Sequence, residues 1–188
     1  GVSVANAAVG LGMSVLGNDP YLSIDGALHL DTHVKTADVD TILKNSDFIT
    51  VHVPLTPTTE KMFNAQTFAK MKDGVVLINN SRGELVDAAA LIAAIESGKI
   101  ERYITDFPSD ELIGVKNVIC VPHLGASTPE AEDNCAMMAA KELAEYIENG
   151  NIVHSVNYPD ISSPRSSVSR VTILHENVKD VISKITSI

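Results

Sequence analysis

The sequence predicts an α/β fold, a doubly wound parallel sheet whose strands alternate with helices over residues 1–127. Two observations carry this. The candidate strands are continuous apolar or β-branched runs, such as Val75-Val76-Leu77-Ile78, and not the alternating runs of a sheet with one wet face. Between them lie segments with helical spacing and helix start and stop signals.

Residues 2–11 are small and apolar with helical spacing, and end near Gly10 and Gly12. Residues 13–16 read as a short buried strand, closed by Gly17-Asn18-Asp19-Pro20, and residues 36–45 as a short helix. Residues 48–53 form a β-branched strand stopped by Pro54. Asn64 caps a helix over 65–72, and Gly74 precedes a strand over 75–78. Asp87 caps a helix over 88–97 that Gly98 ends. Residues 103–105 and 118–121 are two more strands. Ser127-Thr128-Pro129-Glu130 reads as a capping box with Pro in the first turn of a long helix to about Glu148. The Ser-rich stretch 161–169 is a linker. Beyond it, 170–175 is expected as a strand and 179–185 as a short helix. A lone strand and helix cannot bury a core, so this tail is expected to open a further domain.

Composition narrows the function. The net charge is −10, from 24 acids against 14 Lys and Arg. That balance argues against a nucleic-acid partner, whose phosphates need a basic surface, and against anionic membranes. No run of 18 apolar residues predicts a membrane span. The two cysteines, Cys120 and Cys135, have no metal-ligand spacing and are expected as reduced core residues; no metal is expected. A cytoplasmic location fits these features. The chain starts at Gly1 without a basic leader or an initiator Met, and is expected to be cut at both ends.

A dinucleotide site uses a Gly-rich turn between strand and helix, with an acid about 20 residues later on the adenine ribose. Gly1 stands directly before the first helix, and Asp19 comes 18 positions on, after a strand. That spacing suits Gly1 as the last glycine of the fingerprint and Asp19 as the ribose ligand, favouring NAD over NADP. An Asp-Pro turn is the ordinary alternative.

Three segments come directly after predicted strands, where open α/β sheets place ligands. They are Asn79-Asn80-Ser81-Arg82-Gly83, Asp106-Phe107-Pro108-Ser109-Asp110-Glu111 and Pro122-His123-Leu124-Gly125. Singly, each has an ordinary reading: a surface arginine, a solvated loop acid, a structural loop histidine. In combination, their order and spacing resemble the D-2-hydroxyacid dehydrogenases, with N-x-x-R-G, D-x-x-x-x-E and P-H-x-G segments. His52-Val53-Pro54-Leu55-Thr56 is similar to the family's H-x-P-L-T segment near the cofactor. The resemblance covers roughly residues 1–160. Within the family, the residues after His123 and the 149–157 segment look most like the branch that oxidises 3-phosphoglycerate. The tail Arg170-Val171-Thr172-Ile173-Leu174-His175 looks like the first strand of an ACT domain.

The resemblance implies a Rossmann-type domain over residues 1–128, its first strand missing. It implies a return segment of the substrate domain over 129–160, and the start of an ACT-like α+β domain over 170–188. It implies hydride transfer between NAD and a small anionic 2-hydroxy or 2-keto acid, by a homo-oligomer. His123 would be the acid/base, Glu111 the carboxylate orienting it, and Arg82 the substrate anchor. Asp106 would bind the nicotinamide carboxamide. Gly1, Asp19, Pro54, Asn80, Ser81, Arg82, His123 and Gly125 would complete the cofactor site. The family reads Asp-Val-Phe-x-x-Glu-Pro where this chain reads Asp-Phe-Pro-Ser-Asp-Glu-Leu. Counting from Arg82 puts the carboxylate at Glu111; aligning on Phe-Pro puts it at Asp110. Two alternatives stay open: another 2-hydroxyacid dehydrogenase acting on glycerate, hydroxypyruvate or lactate, and a non-catalytic NAD-sensing protein of the same fold. The 188 residues alone are expected to be inactive.

Overall fold

The computed structural model describes residues 1–176 and 178–187. It divides into two compact units, Gly1–His123 and Leu124–Ile188.

The first unit is the α/β body. Helix α1 (Val2–Gly10) leads to β1 (Leu16–Gly17), α2 (Ile24–Leu28) and β2 (Lys35–Thr36). Then come α3 (Val39–Asn45), β3 (Phe48–Val51), α4 (Ala65–Lys70), β4 (Val75–Asn79), α5 (Ala88–Glu96), β5 (Ile100–Thr105) and β6 (Val118–Cys120). Among the described residues two sheets form, β1–β2 and β3–β4–β5–β6, and every strand pairing within them is parallel. The parallel α/β class expected from the apolar runs is the observed one.

The local signals act as physical chemistry requires. Asn64 caps α4: its side chain accepts from the Gln66 and Thr67 amides, and the Thr67 hydroxyl accepts from the Asn64 amide. The Asp87 carboxylate accepts from the Ala90 amide and starts α5. Gly98 lies just past α5 at φ +77°, where a Cβ would be strained. The main core cluster runs from Leu43 to Leu112. Leu77 in β4, Ile100 and Tyr103 in β5 and Leu91 in α5 are fully buried. Each buried aliphatic side chain contributes about 1.5–3 kcal/mol.

Several boundaries moved. The strand expected over 13–16 is the two-residue β1, displaced toward Gly17. The helix expected from residue 36 starts at Val39, because Lys35–Thr36 pairs with β1 and Asp38 caps α3 by accepting from the Thr41 amide. Cys120 and Cys135 are free thiols, but both are exposed and not core residues. Cys120 ends β6, the outer strand of the larger sheet.

The second unit holds α6 (Pro129–Asn149) and α7 (Val181–Thr186). The cap of α6 is Thr128, one residue later than expected, and its hydroxyl accepts from the Ala131 amide. Pro129 occupies the first turn, and Gly150 ends the helix at φ +69°. Buried Asn151 ties the segment after α6 to the tail, accepting from the Ser163 amide and Arg170 Nη1. The stretch expected as a strand over 170–175 joins no ladder among the described residues.

Candidate active site

Strand β4 delivers the first loop. Its burial alternates, with Val75, Leu77 and Asn79 inward. Asn79 is fully buried, and an amide there must be satisfied. Its Nδ2 donates to the Arg82 carbonyl at 2.8 Å and the Tyr103 hydroxyl at 3.2 Å. Its Oδ1 accepts from the Ser81 amide at 3.1 Å. The Ser81 hydroxyl donates to the Val51 carbonyl at the end of β3, 2.8 Å away. A buried polar plug thus fixes the loop carrying Asn80, Ser81 and Arg82, while burial pushes the Tyr103 hydroxyl above its ordinary pKa. Tyr103 was missed as a site-building residue, because the sequence shows it only as a β-favouring aromatic; Asn79 was singled out only as the first residue of the N-x-x-R-G segment.

The Arg82 side chain opens onto a cleft of about 510 Å³, lined also by His52, Val53, Pro54, Leu55, Asn80 and Ser81. The His52–Thr56 segment and the Asn79–Gly83 segment, both singled out from the sequence, therefore share one wall. His52 accepts or donates through Nε2 to the Thr50 hydroxyl at 3.0 Å. Partial burial holds its imidazole below the ordinary histidine range.

Strand β5 delivers the second loop. Thr105 is fully buried, and its hydroxyl accepts from the Phe107 amide at 3.1 Å. Between these residues, Asp106 turns its carboxylate toward the end of β6. His123 Nδ1 lies 2.8 Å from Asp106 Oδ2, with the carboxylate 12 % exposed and the imidazole 44 %. A carboxylate accepts, so Nδ1 carries the proton and Nε2 is left as the acceptor. Asp106 Oδ1 is buried and has no hydrogen-bond partner among the described residues.

This placement departs from the expected one. Glu111 is exposed, makes no hydrogen bond or ion pair among the described residues, and does not meet His123. It sits in the 3₁₀ turn Asp110–Leu112, where Leu112 is buried and its neighbours point outward. The same turn holds Asp110, exposed as well. The carboxylate on the histidine is Asp106. Phe107, also unforeseen, contacts two of the candidate side chains: its ring centroid is 4.0 Å from that of His123, and the Arg82 guanidinium carbon lies 5.3 Å over it.

The remaining candidates lie elsewhere. Gly1 is the N-cap of α1, which has no side-chain cap. Asp19 is exposed two residues after β1, one oxygen accepting from the Tyr21 amide. Gly125 is exposed in the second unit.

The D-isomer specific 2-hydroxyacid dehydrogenase, NAD binding domain family matches residues 1–125. The chain belongs to this family. It is similar along its whole length to D-3-phosphoglycerate dehydrogenase 1 of Saccharomyces cerevisiae, at 35% identity over 44% of that protein. It is likewise 32% identical to D-3-phosphoglycerate dehydrogenase of Escherichia coli, covering all of this chain and 48% of that one. The chain spans about half the length of these curated relatives, 44% and 48% respectively. Its fold is similar to the crystal structure of D-lactate dehydrogenase with NAD⁺ from Lactobacillus jensenii, with TM-score 0.70 and 31% identity, covering 85% of this chain and 52% of that one. This is the Rossmann-like α/β fold of the family.

NAD is the cofactor of this domain, and the residues present suit it. The unpartnered Asp106 Oδ1 is an acceptor awaiting a donor.

Proposed function

We propose that the protein carrying this chain oxidises 3-phospho-D-glycerate to 3-phosphohydroxypyruvate with NAD, the first step toward L-serine. The observation that carries the reaction class is the His123–Asp106 pair at 2.8 Å, sharing the Phe107 ring with Arg82. It puts a proton acceptor and a carboxylate anchor in one place, as oxidation of a 2-hydroxy acid needs. The phosphoglycerate assignment is supported by the whole-length relatives carrying that name.

His123 Nε2 takes the proton of the substrate hydroxyl. Asp106 Oδ2 holds the other ring nitrogen, fixes the tautomer and stabilises the imidazolium that forms. Arg82 pairs with the substrate carboxylate, or polarises the C2 oxygen as charge develops there. Bound NAD would supply the two-electron acceptor for the hydride that leaves C2. Asp106 Oδ1 is the residue atom available to the nicotinamide carboxamide, and Asp19 to the adenine ribose hydroxyls. Pro54, Asn80 and Ser81 form the cleft wall, and Gly125 the turn after His123. The working protein is a homo-oligomer in this reading, located in the cytoplasm.

A second reading, another D-2-hydroxyacid dehydrogenase, is favoured by the structural similarity to a D-lactate dehydrogenase. Steady-state assays of the complete enzyme with 3-phosphoglycerate, glycerate and lactate separate the two. The highest kcat/KM with 3-phosphoglycerate is expected. Preference for an unphosphorylated acid transfers the assignment to the second reading, and no turnover of any acid despite NADH binding leaves a sensor.

A further inference from the structure

We infer that Phe107 is a positioning residue of the site, setting the spacing and orientation of Arg82 and His123. The inference rests on the dehydrogenase reading above.

Three contacts converge on this residue. Its ring meets the His123 imidazole at 4.0 Å between centroids, tilted 41°. The Arg82 guanidinium carbon lies over the same ring, 5.3 Å from its centroid. A Cβ built at Gly83 would come within 2.8 Å of the Phe107 carbonyl oxygen, so the turn after Arg82 is seated on the Phe107 backbone. Phe107 is itself held: its amide donates to the buried Thr105 hydroxyl. The loops after β4 and β5 are thus indexed to one another through a single side chain and its carbonyl.

An aromatic ring does what an aliphatic one of similar volume cannot. Arg82 is always cationic, and His123 becomes cationic when it takes the substrate proton. Two cations around one site repel, and the negative face of a π system attracts a cation beside it. Phe107 therefore supplies shape and a favourable field together. Leucine would fill space and lose the field. Tyrosine would keep both.

In the complete enzyme, Phe107→Leu is expected to lower kcat/KM for the acid about 10–100-fold, the scale of a small misplacement of reacting groups. Both kcat and the KM for the acid should worsen, since His123 and Arg82 are both displaced, while the Kd for NADH stays unchanged. Phe107→Tyr should restore most of the loss. Wild-type kcat/KM in Phe107→Leu, or equal impairment in the Leu and Tyr variants, overturns the inference. A measurement independent of turnover and of any variant uses the wild-type enzyme labelled in its His and Phe rings. A nuclear Overhauser contact between the Phe107 and His123 ring protons is expected, and its absence overturns the inference even where the Leu variant does not fold. An enzyme showing that ring contact yet turning over no 2-hydroxy acid refutes the dehydrogenase reading and leaves the Phe107 contact standing.

Discussion

The β3–β6 sheet and the amino-terminal α1–β2 region are built from the same kind of alternation, yet they hold their candidate residues very differently. In the sheet, Val75, Leu77 and Asn79 point into the core, and Asn79 anchors the Arg82 loop through buried hydrogen bonds. In the amino-terminal region, β1 and β2 pair over two residues each, and α1 buries none. Gly1 meets nothing within 4 Å of a built Cβ, and Asp19 serves one local amide. A motif is informative about chemistry where burial fixes the loop that carries it. Where burial is slight, the same motif reads equally well as a turn.

The sharpest way to test the chemical side of this contrast is to separate the two carboxylates. In the complete enzyme, His123→Ala is expected to lower turnover about 10²–10⁴-fold with NADH binding largely kept. Asp106→Asn should approach that loss, because an amide in place of Oδ2 can donate and favours the wrong imidazole tautomer. Glu111→Gln should change kcat by about twofold at most, an exposed substitution away from the histidine. Steady-state kinetics with direct NADH titration checks all three. A large loss in Glu111→Gln beside a silent Asp106→Asn would return the orienting role to Glu111.

Much of this was legible from residues alone, and the misses have physical causes. The alternation of strands and helices, the Asn64 and Asp87 caps and the Arg82 and His123 loops follow from apolar runs and side-chain hydrogen bonding, both of which act locally. The Asp106 pairing does not. Residue counting gives the distance from Arg82 along the chain, but the inward turn is decided by Thr105 and Leu112, which are buried on either side of the loop. Leu112 enters the core and turns Glu111 outward. Phe107 was invisible for the same reason, since its two partners lie 25 and 16 positions away along the chain. The expected strand at 170–175 failed differently: a β-favouring run names a strand only when a neighbour supplies the ladder.

A second test sets the cores against each other. Leu77→Ala, at a fully buried position in β4, should cost about 2–5 kcal/mol through lost transfer energy and the cavity left behind. Val4→Ala, on α1 and 44 % exposed, should stay within about 0.5 kcal/mol. Denaturant midpoints with unchanged slopes report both. Equal costs would mean that α1 contributes to the core as much as β4 does, and the contrast would fail.

The smallest expected effect concerns charge at a helix start. The Ala90 amide, with Lys61 3.5 Å away as a lesser cause, holds the Asp87 carboxyl below its ordinary pKa. A lowered folded value means that the unfolded chain takes up the proton first as pH falls. The stabilisation is therefore complete above the ordinary carboxylate value and is lost as pH drops through the folded one, a window below about pH 4. Asp87→Asn keeps a capping oxygen but no charge. At pH 6 the wild type should protect the α5 amides of Leu91 and Ile95 from exchange better than the Asn variant does, and the difference should shrink as pH falls below about 4. Helix α1, whose N-cap is a glycine with no side chain to titrate, should exchange alike in both proteins across this pH range. A pH-independent difference at α5 would assign the effect to cap geometry, and a matching change at α1 would show that the two regions open as one cooperative unit.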